Sequence, residues 1–128
     1  MVGAPVPVPQ PSPPMPMPHV LIADDDQDMR AYIRHGLRDT ARVAEAADGA
    51  QALAMARADT PDLVIADVRM PELDGLALCD ALHADAATRG VPVLIVSGEP
   101  PRSATCGDGF LAKPFNAAGL RAAVALLL

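Results

Sequence analysis

The chain has 128 residues, 51 % of them apolar, and a formal net charge of −6. That is enough for one domain with its own core, and too acidic for a nucleic-acid-binding surface, which needs a basic face. No apolar run approaches the roughly 18 residues of a membrane span, and the N-terminus lacks the basic segment and unbroken apolar stretch of a secretory signal.

Residues 1–18, MVGAPVPVPQPSPPMPMP, hold eight prolines and no charged side chain. Proline at nearly every second position removes amide donors and fixes φ, which excludes helix and sheet interior. This segment reads as an extended, polyproline-like, disordered arm. It is a tether, or a docking arm for a proline-recognising partner or for its own domain.

A single domain is expected over 19–128. Val20 to Ala23 is a short buried strand. Gln27 to Arg38 is a helix with Met29, Tyr32, Ile33 and Leu37 on one face. Arg42 to Ala46 is a second strand. Asp48-Gly-Ala-Gln51 resembles a capping box, and the helix it opens ends before Thr60-Pro61. Asp62 to Ala66 is a third strand, followed by the turn VRMPELDG and a helix from Leu76 to about His83. Val91 to Val96 and Phe110 to Ala112 are the fourth and fifth strands. Asn116 caps a last helix carrying Leu120, Val124 and Leu127. The strands are continuous apolar runs, so both of their faces are buried. That predicts an α/β fold, a doubly wound parallel sheet of five strands.

With only Tyr32, Phe110 and Phe115 aromatic, the core is aliphatic and offers no stacking platform for bases. Cys79 and Cys106 form no CxxC pair. Both are read as reduced, Cys79 as a core residue; the acidic net charge suits a cytoplasmic protein. His19, His35 and His83 lack metal-ligand spacing.

In this fold, function sits at the carboxyl ends of the strands. The first strand ends in Asp24-Asp25-Asp26, the third in Asp67, the fourth in Ser97 and the fifth in Lys113-Pro114. Asp26 reads as a helix cap. Carboxylates roughly 5 Å apart repel by about 3 kcal/mol per pair at an effective dielectric of 20. A hard divalent cation with oxygen ligands offsets that cost, and Mg²⁺ prefers a few carboxylates with water and phosphate oxygens.

VLIADDDQDMR, PDLVIADVRMPELDG, VPVLIVSG and FLAKPF occur in this order and spacing. Together they resemble the receiver domain of bacterial two-component response regulators, over about residues 19–128. The resemblance implies a flavodoxin-like sheet in the order 2-1-3-4-5. It implies Asp67 as phosphoacceptor, and Asp24, Asp25 and Asp67 as Mg²⁺ ligands with the backbone carbonyl of Arg69. Ser97 matches the hydroxyl that binds the phosphoryl group. Lys113 matches the lysine that pairs with it, in a Lys-Pro peptide that is usually cis. Phe110 stands at the family's aromatic switch position, and reads equally as plain core. Arg69 and Glu99 flank the site, either solvated or paired across it to slow water's access. The phosphodonor is implied to be a phosphohistidine on a sensor histidine kinase or a histidine phosphotransfer protein. The chemistry agrees, because a carboxylate is a competent nucleophile and phosphoryl transfer asks chiefly for positioning and positive charge.

The sequence departs from the family at GEPPRSATCGDG, residues 98–109, where the family carries its fourth helix. A parallel crossover with its helix needs about 10–12 residues at minimum, and Pro100-Pro101 and three glycines oppose helix here. At most one turn, near Ser103 to Cys106, is expected, so the fourth helix is lost or vestigial. Its loss is expected to bare apolar surface near Val91 to Val96 and Phe110. Of three candidate covers, the loop itself, the proline-rich arm and a second protein, the loop is expected to cover part of that surface and a partner or second copy (a homodimer) the rest.

The chain ends with the receiver's last helix, so no DNA-binding or enzymatic output is expected from it. The output partner is unknown. The expected function is a phosphoacceptor receiver acting by protein contact or phosphotransfer, with no enzymatic activity beyond its own Mg²⁺-dependent phosphorylation and dephosphorylation. The alternative is a pseudo-receiver that binds protein without switching. A phosphatase of the haloacid-dehalogenase kind would want a second acid two residues after the nucleophile, where this chain has Arg69.

Overall fold

The computed structural model describes residues 3, 17–98 and 107–128. It contains β1 (His19–Ala23), α1 (Gln27–Leu37), β2 (Arg42–Ala46), α2 (Gly49–Ala58), β3 (Leu63–Asp67), α3 (Gly75–Ala84), β4 (Val93–Ser97), β5 (Gly109–Ala112) and α4 (Ala117–Leu127). The five strands form one parallel sheet in the order β2-β1-β3-β4-β5, as the resemblance implies.

The apolar runs are explained by packing on both faces. Leu21 and Ala23 of β1, Val64 and Ala66 of β3, and Val93 and Ile95 of β4 meet Ala52, Ala56, Leu78, Cys79 and Leu82 of α2 and α3. The alternate residues Val20, Ile22, Leu63, Ile65, Leu94 and Val96 meet Ile33, Leu37, Leu120 and Val124 of α1 and α4. Strand residues of period two thus feed two cores, and no polar alternation is left to see.

Side-chain caps set the helix starts. Asp26 Oδ1 accepts from the Asp28 amide at 2.9 Å. Asp48 Oδ1 accepts from Gln51 at 2.7 Å, and Asn116 Oδ1 from Gly119 at 2.7 Å. The capping box at Asp48 is offset by one residue, since Gln51 Oε1 accepts from Ala47 N rather than from Asp48 N. β4 starts two residues later than the sequence predicts. Pro92 has no amide to give the ladder, although its carbonyl still accepts from Val64 at 3.0 Å.

Gly98, Gly107 and Asp108 are non-helical. A three-turn helix of about 11 residues therefore does not fit between β4 and β5. The single turn expected near Ser103 to Cys106, Glu99, and most of the proline-rich arm lie outside the described residues. The expectation of a bared β4 is corrected. Val93, Leu94, Ile95 and Val96 are all buried. Gly107 approaches so closely that a Cβ there would fall 2.6 Å from Ile95 Cγ1, so the return into β5 itself covers part of that face. The exposure is at β5, where Phe110 is 41 % exposed and Ala112 is exposed too. Phe110 is therefore not a core residue. Cys79 sits in the core as expected, but it is disulfide-bonded rather than reduced.

Candidate functional site

Four strands deliver the site. β1 runs into Asp24 and Asp25, β3 ends on Asp67, β4 ends on Ser97, and β5 leads into the Lys113-Pro114 peptide, which is cis. Because the strands are parallel, all these ends lie on one rim. Lys113 N donates to Ser97 O at 2.8 Å, which extends the β4–β5 pairing by one step and aims the lysine inward.

Asp24, Asp25 and Asp67 each offer a carboxylate oxygen, all within 4.8 Å of one another. Lys113 Nζ lies 3.3 Å from Asp67 Oδ2 and 3.8 Å from Asp24 Oδ2. Asp24 is 2 % exposed. Its Oδ1 accepts from the Asp26 amide at 2.9 Å, which leaves Oδ2 for the cluster. Burial pushes the Asp24 carboxyl up from 3.8 to about 6; the Asp67 and Asp25 charges add to this, while the Asp26 amide and Lys113 oppose it. The group is therefore ionised at neutral pH, at a cost that a cation would remove.

Beyond β3 the chain turns sharply under the site. Arg69 N reaches Asp67 Oδ1 at 3.4 Å, Glu72 takes a left-handed φ of 69°, and Gly75 N donates to Val68 O at 3.1 Å. A Cβ on Gly75 would fall 2.3 Å from Asp67 O. Only glycine lets α3 begin so close to the acid, and Asp74 caps that helix through the Ala77 amide at 2.8 Å. Asp67, Arg69, Ser97, Gly98 and Lys113 line a cleft of about 320 Å³. The sequence thus brought Asp24, Asp25, Asp67, Ser97, Lys113 and Arg69 to one place. Phe110 stands apart: it pairs with Ile95 in register, on the sheet face toward α2 and α3.

Three contacts escape motif reading. Arg30 Nη1 donates to Asp24 O at 2.7 Å, and its Nε lies 3.4 Å from Glu45 Oε1. Tyr32 donates its hydroxyl to Phe115 O at 3.1 Å, tying α1 to the segment after Lys113. The one sequence signal for Arg30 is a cation one turn into the helix that follows an acid triplet.

The three carboxylates suit a hard cation with oxygen ligands. In an octahedral Mg²⁺ shell, neighbouring oxygens lie about 3 Å apart, so the cluster needs only a modest contraction to hold one.

The profile of the family described as "Response regulator receiver domain" matches residues 20–125. The transcriptional regulatory protein PrrA of Mycobacterium bovis is 39 % identical over 116 residues, covering 85 % of this chain and 49 % of that protein. This chain therefore spans about half the length of that relative. Among solved structures, the chemotaxis response regulator CheY4 of Vibrio cholerae aligns with a TM-score of 0.82 and 32 % identity, covering 88 % of this chain and 99 % of that one. The receiver domain of sensor histidine kinase PA1611 from Pseudomonas aeruginosa PAO1, solved with a magnesium ion coordinated in its active-site cleft, aligns with a TM-score of 0.80 and 27 % identity over 87 % of this chain and 97 % of that one. The fold, the acidic rim and these matches agree: the chain belongs to the response regulator receiver domain family.

Proposed function

We propose that this chain is a phosphoacceptor receiver of a two-component or phosphorelay system, phosphorylated on Asp67. The donor is a phosphohistidine on a sensor histidine kinase or a histidine phosphotransfer protein. The output is protein contact or onward phosphotransfer. The observation that carries this reading is Lys113 Nζ, held 3.3 Å from Asp67 Oδ2 at the mouth of a polar cleft. Nothing in the packing of the sheet requires an ammonium and three carboxylates to meet there.

A carboxylate oxygen of Asp67 attacks phosphorus. The new O–P bond forms as the P–N bond to the donor imidazole breaks, and the imidazole leaves with that electron pair. Lys113 faces the charge on the phosphoryl oxygens, and the Ser97 hydroxyl takes one of them once Asp67 is modified. Asp24, Asp25, Asp67 and the Arg69 carbonyl would hold Mg²⁺, which supplies positive charge to the transferring group. Arg69 lines the cleft beside Asp67, where it can slow the access of water. Phe110 is the switch aromatic, on the sheet face where the family's fourth helix would stand. A cytoplasmic location rests on the family reading and the acidic charge; the disulfide at Cys79 adds nothing to it.

The test is incubation with a small phosphodonor and Mg²⁺, read by intact mass. One phosphoryl group is expected on the wild type, and none after chelation or in Asp67→Asn, since an amide is no nucleophile. Undiminished incorporation in that variant overturns the assignment. No incorporation in the wild type leaves a protein-binding module that does not switch.

A further inference from the structure

Asp24 is held by more than its own strand. Its amide donates to Ala46 O on β2 at 3.1 Å. Its carbonyl accepts from Arg30 Nη1 at 2.7 Å. Arg30 in turn pairs through Nε with Glu45 at 3.4 Å, and Glu45 is the β2 residue next to Ala46. Arg34, one turn further along α1, donates to the other Glu45 oxygen. Arg30 is largely buried, its side chain 16 % exposed. Asp24 is thus tied to β2 through its amide directly and through its carbonyl by way of Arg30, whose planar guanidinium fork bridges the Glu45 carboxylate and that carbonyl.

We propose that Arg30 is a positioning residue for the acidic cluster. Held by Glu45, it fixes the Asp24–Asp25 peptide so that both side chains face Asp67 in a geometry ready for a divalent cation. The alternatives make different predictions. If Arg30 only stabilises the fold, its loss lowers stability and leaves metal affinity alone. If its charge is what matters, removing a cation beside three carboxylates draws Mg²⁺ in more tightly. Positioning predicts the opposite sign. Without the fork the peptide can rotate, the ligand oxygens spread, and ordering them again falls on the binding step. Partners that orient metal ligands carry roughly 10-fold or more in affinity.

This inference rests on the reading that Asp24, Asp25 and Asp67 take Mg²⁺. The experiment is calorimetric titration of the full chain with Mg²⁺ near neutral pH, with thermal unfolding in chelator as a fold control. Arg30→Met keeps the length of the side chain without its donors. It should raise the dissociation constant roughly 10-fold. Arg30→Lys should fall between, since its ammonium keeps a donor for the Asp24 carbonyl without the fork. Glu45→Gln should weaken binding in the same direction by less. A wild type that binds no Mg²⁺ refutes the underlying reading. A wild type that binds while folded Arg30→Met binds equally or more tightly refutes the positioning role alone. If Arg30→Met does not fold, Glu45→Gln decides: weaker binding supports the clamp and unchanged binding overturns it.

Discussion

Replacing Asp24 with Asn should make the metal-free protein more stable. A carboxyl that titrates near 3.8 in the unfolded chain is raised to about 6 in the fold, chiefly by burial. Between those values the folded state binds more protons than the unfolded state, so stability falls as pH rises through that window and stays low above it. At about 1.4 kcal/mol per pH unit, the loss is about 3 kcal/mol. An Asn keeps an oxygen to accept from the Asp26 amide and has no charge to desolvate. It loses the attraction of Lys113, which retains Asp67 at 3.3 Å. The assay is urea unfolding of wild type and variant in chelator, from pH about 4 to pH about 7.5, compared as a difference so that other carboxylates cancel. The variant should gain up to about 3 kcal/mol at the upper end and little at the lower. With Mg²⁺ the difference should nearly close. The wild type gains about 2.7 kcal/mol at 100 times its dissociation constant, while the variant, short of a ligand, gains far less. A difference that does not change with pH, or a variant less stable throughout in chelator, refutes the claim that Asp24 is a destabilising charge.

Gly75→Ala places a methyl against the Asp67 carbonyl, so it should destabilise by about 1–3 kcal/mol and lower phosphodonor-dependent incorporation in the folded fraction; calorimetric unfolding and intact mass check both. Phe110→Ala should cost under about 1.5 kcal/mol because the ring is half-exposed, whereas Leu78→Ala, fully buried, should cost about 2–5 kcal/mol. Denaturant unfolding that ranks them the other way would return Phe110 to the core.

Much of this was legible because the fold writes its signals locally. Val20 to Ala23 and Leu63 to Ala66 are unbroken apolar runs, and each ends abruptly in acids. A parallel sheet sends those ends to one rim, so the site follows from strand direction alone. The caps at Asp26, Asp48 and Asn116 were legible for the same reason, since each acts within three residues. What was missed depends on approach between distant segments. The Arg30 side chain reaches a carbonyl across the β1–α1 turn and an acid on β2, and no helical period marks that. That the loop covers part of the face was expected, but the contact that does it, Gly107 against Ile95, has no local signal. The bond at Cys79 has no spacing motif to announce it. Phe110 was ambiguous because a strand with one open face looks, over four residues, like a strand with none.

The two ends of the argument meet in charge balance. Three carboxylates converge with one ammonium, which leaves two negative charges at the rim when all are ionised. The single lysine cannot serve every acid, and its distances of 3.3 and 3.8 Å show it shared between Asp67 and the nearly buried Asp24. On the proposed reading, a divalent cation brings that rim to neutrality, and a monovalent one does not. Neutrality lowers the barrier to an incoming anionic phosphoryl group, which must approach Asp67 against the same carboxylates. Once Asp67 carries the group, Lys113 has a stronger acceptor than either carboxylate, and Asp24 keeps only the cation. A rim built this way is strained when empty, relaxed when it holds the ion, and re-paired when it holds the ion and the phosphoryl group. Those are the states a switch has to separate, and on the positioning reading Arg30 stands behind Asp24 without touching the chemistry itself.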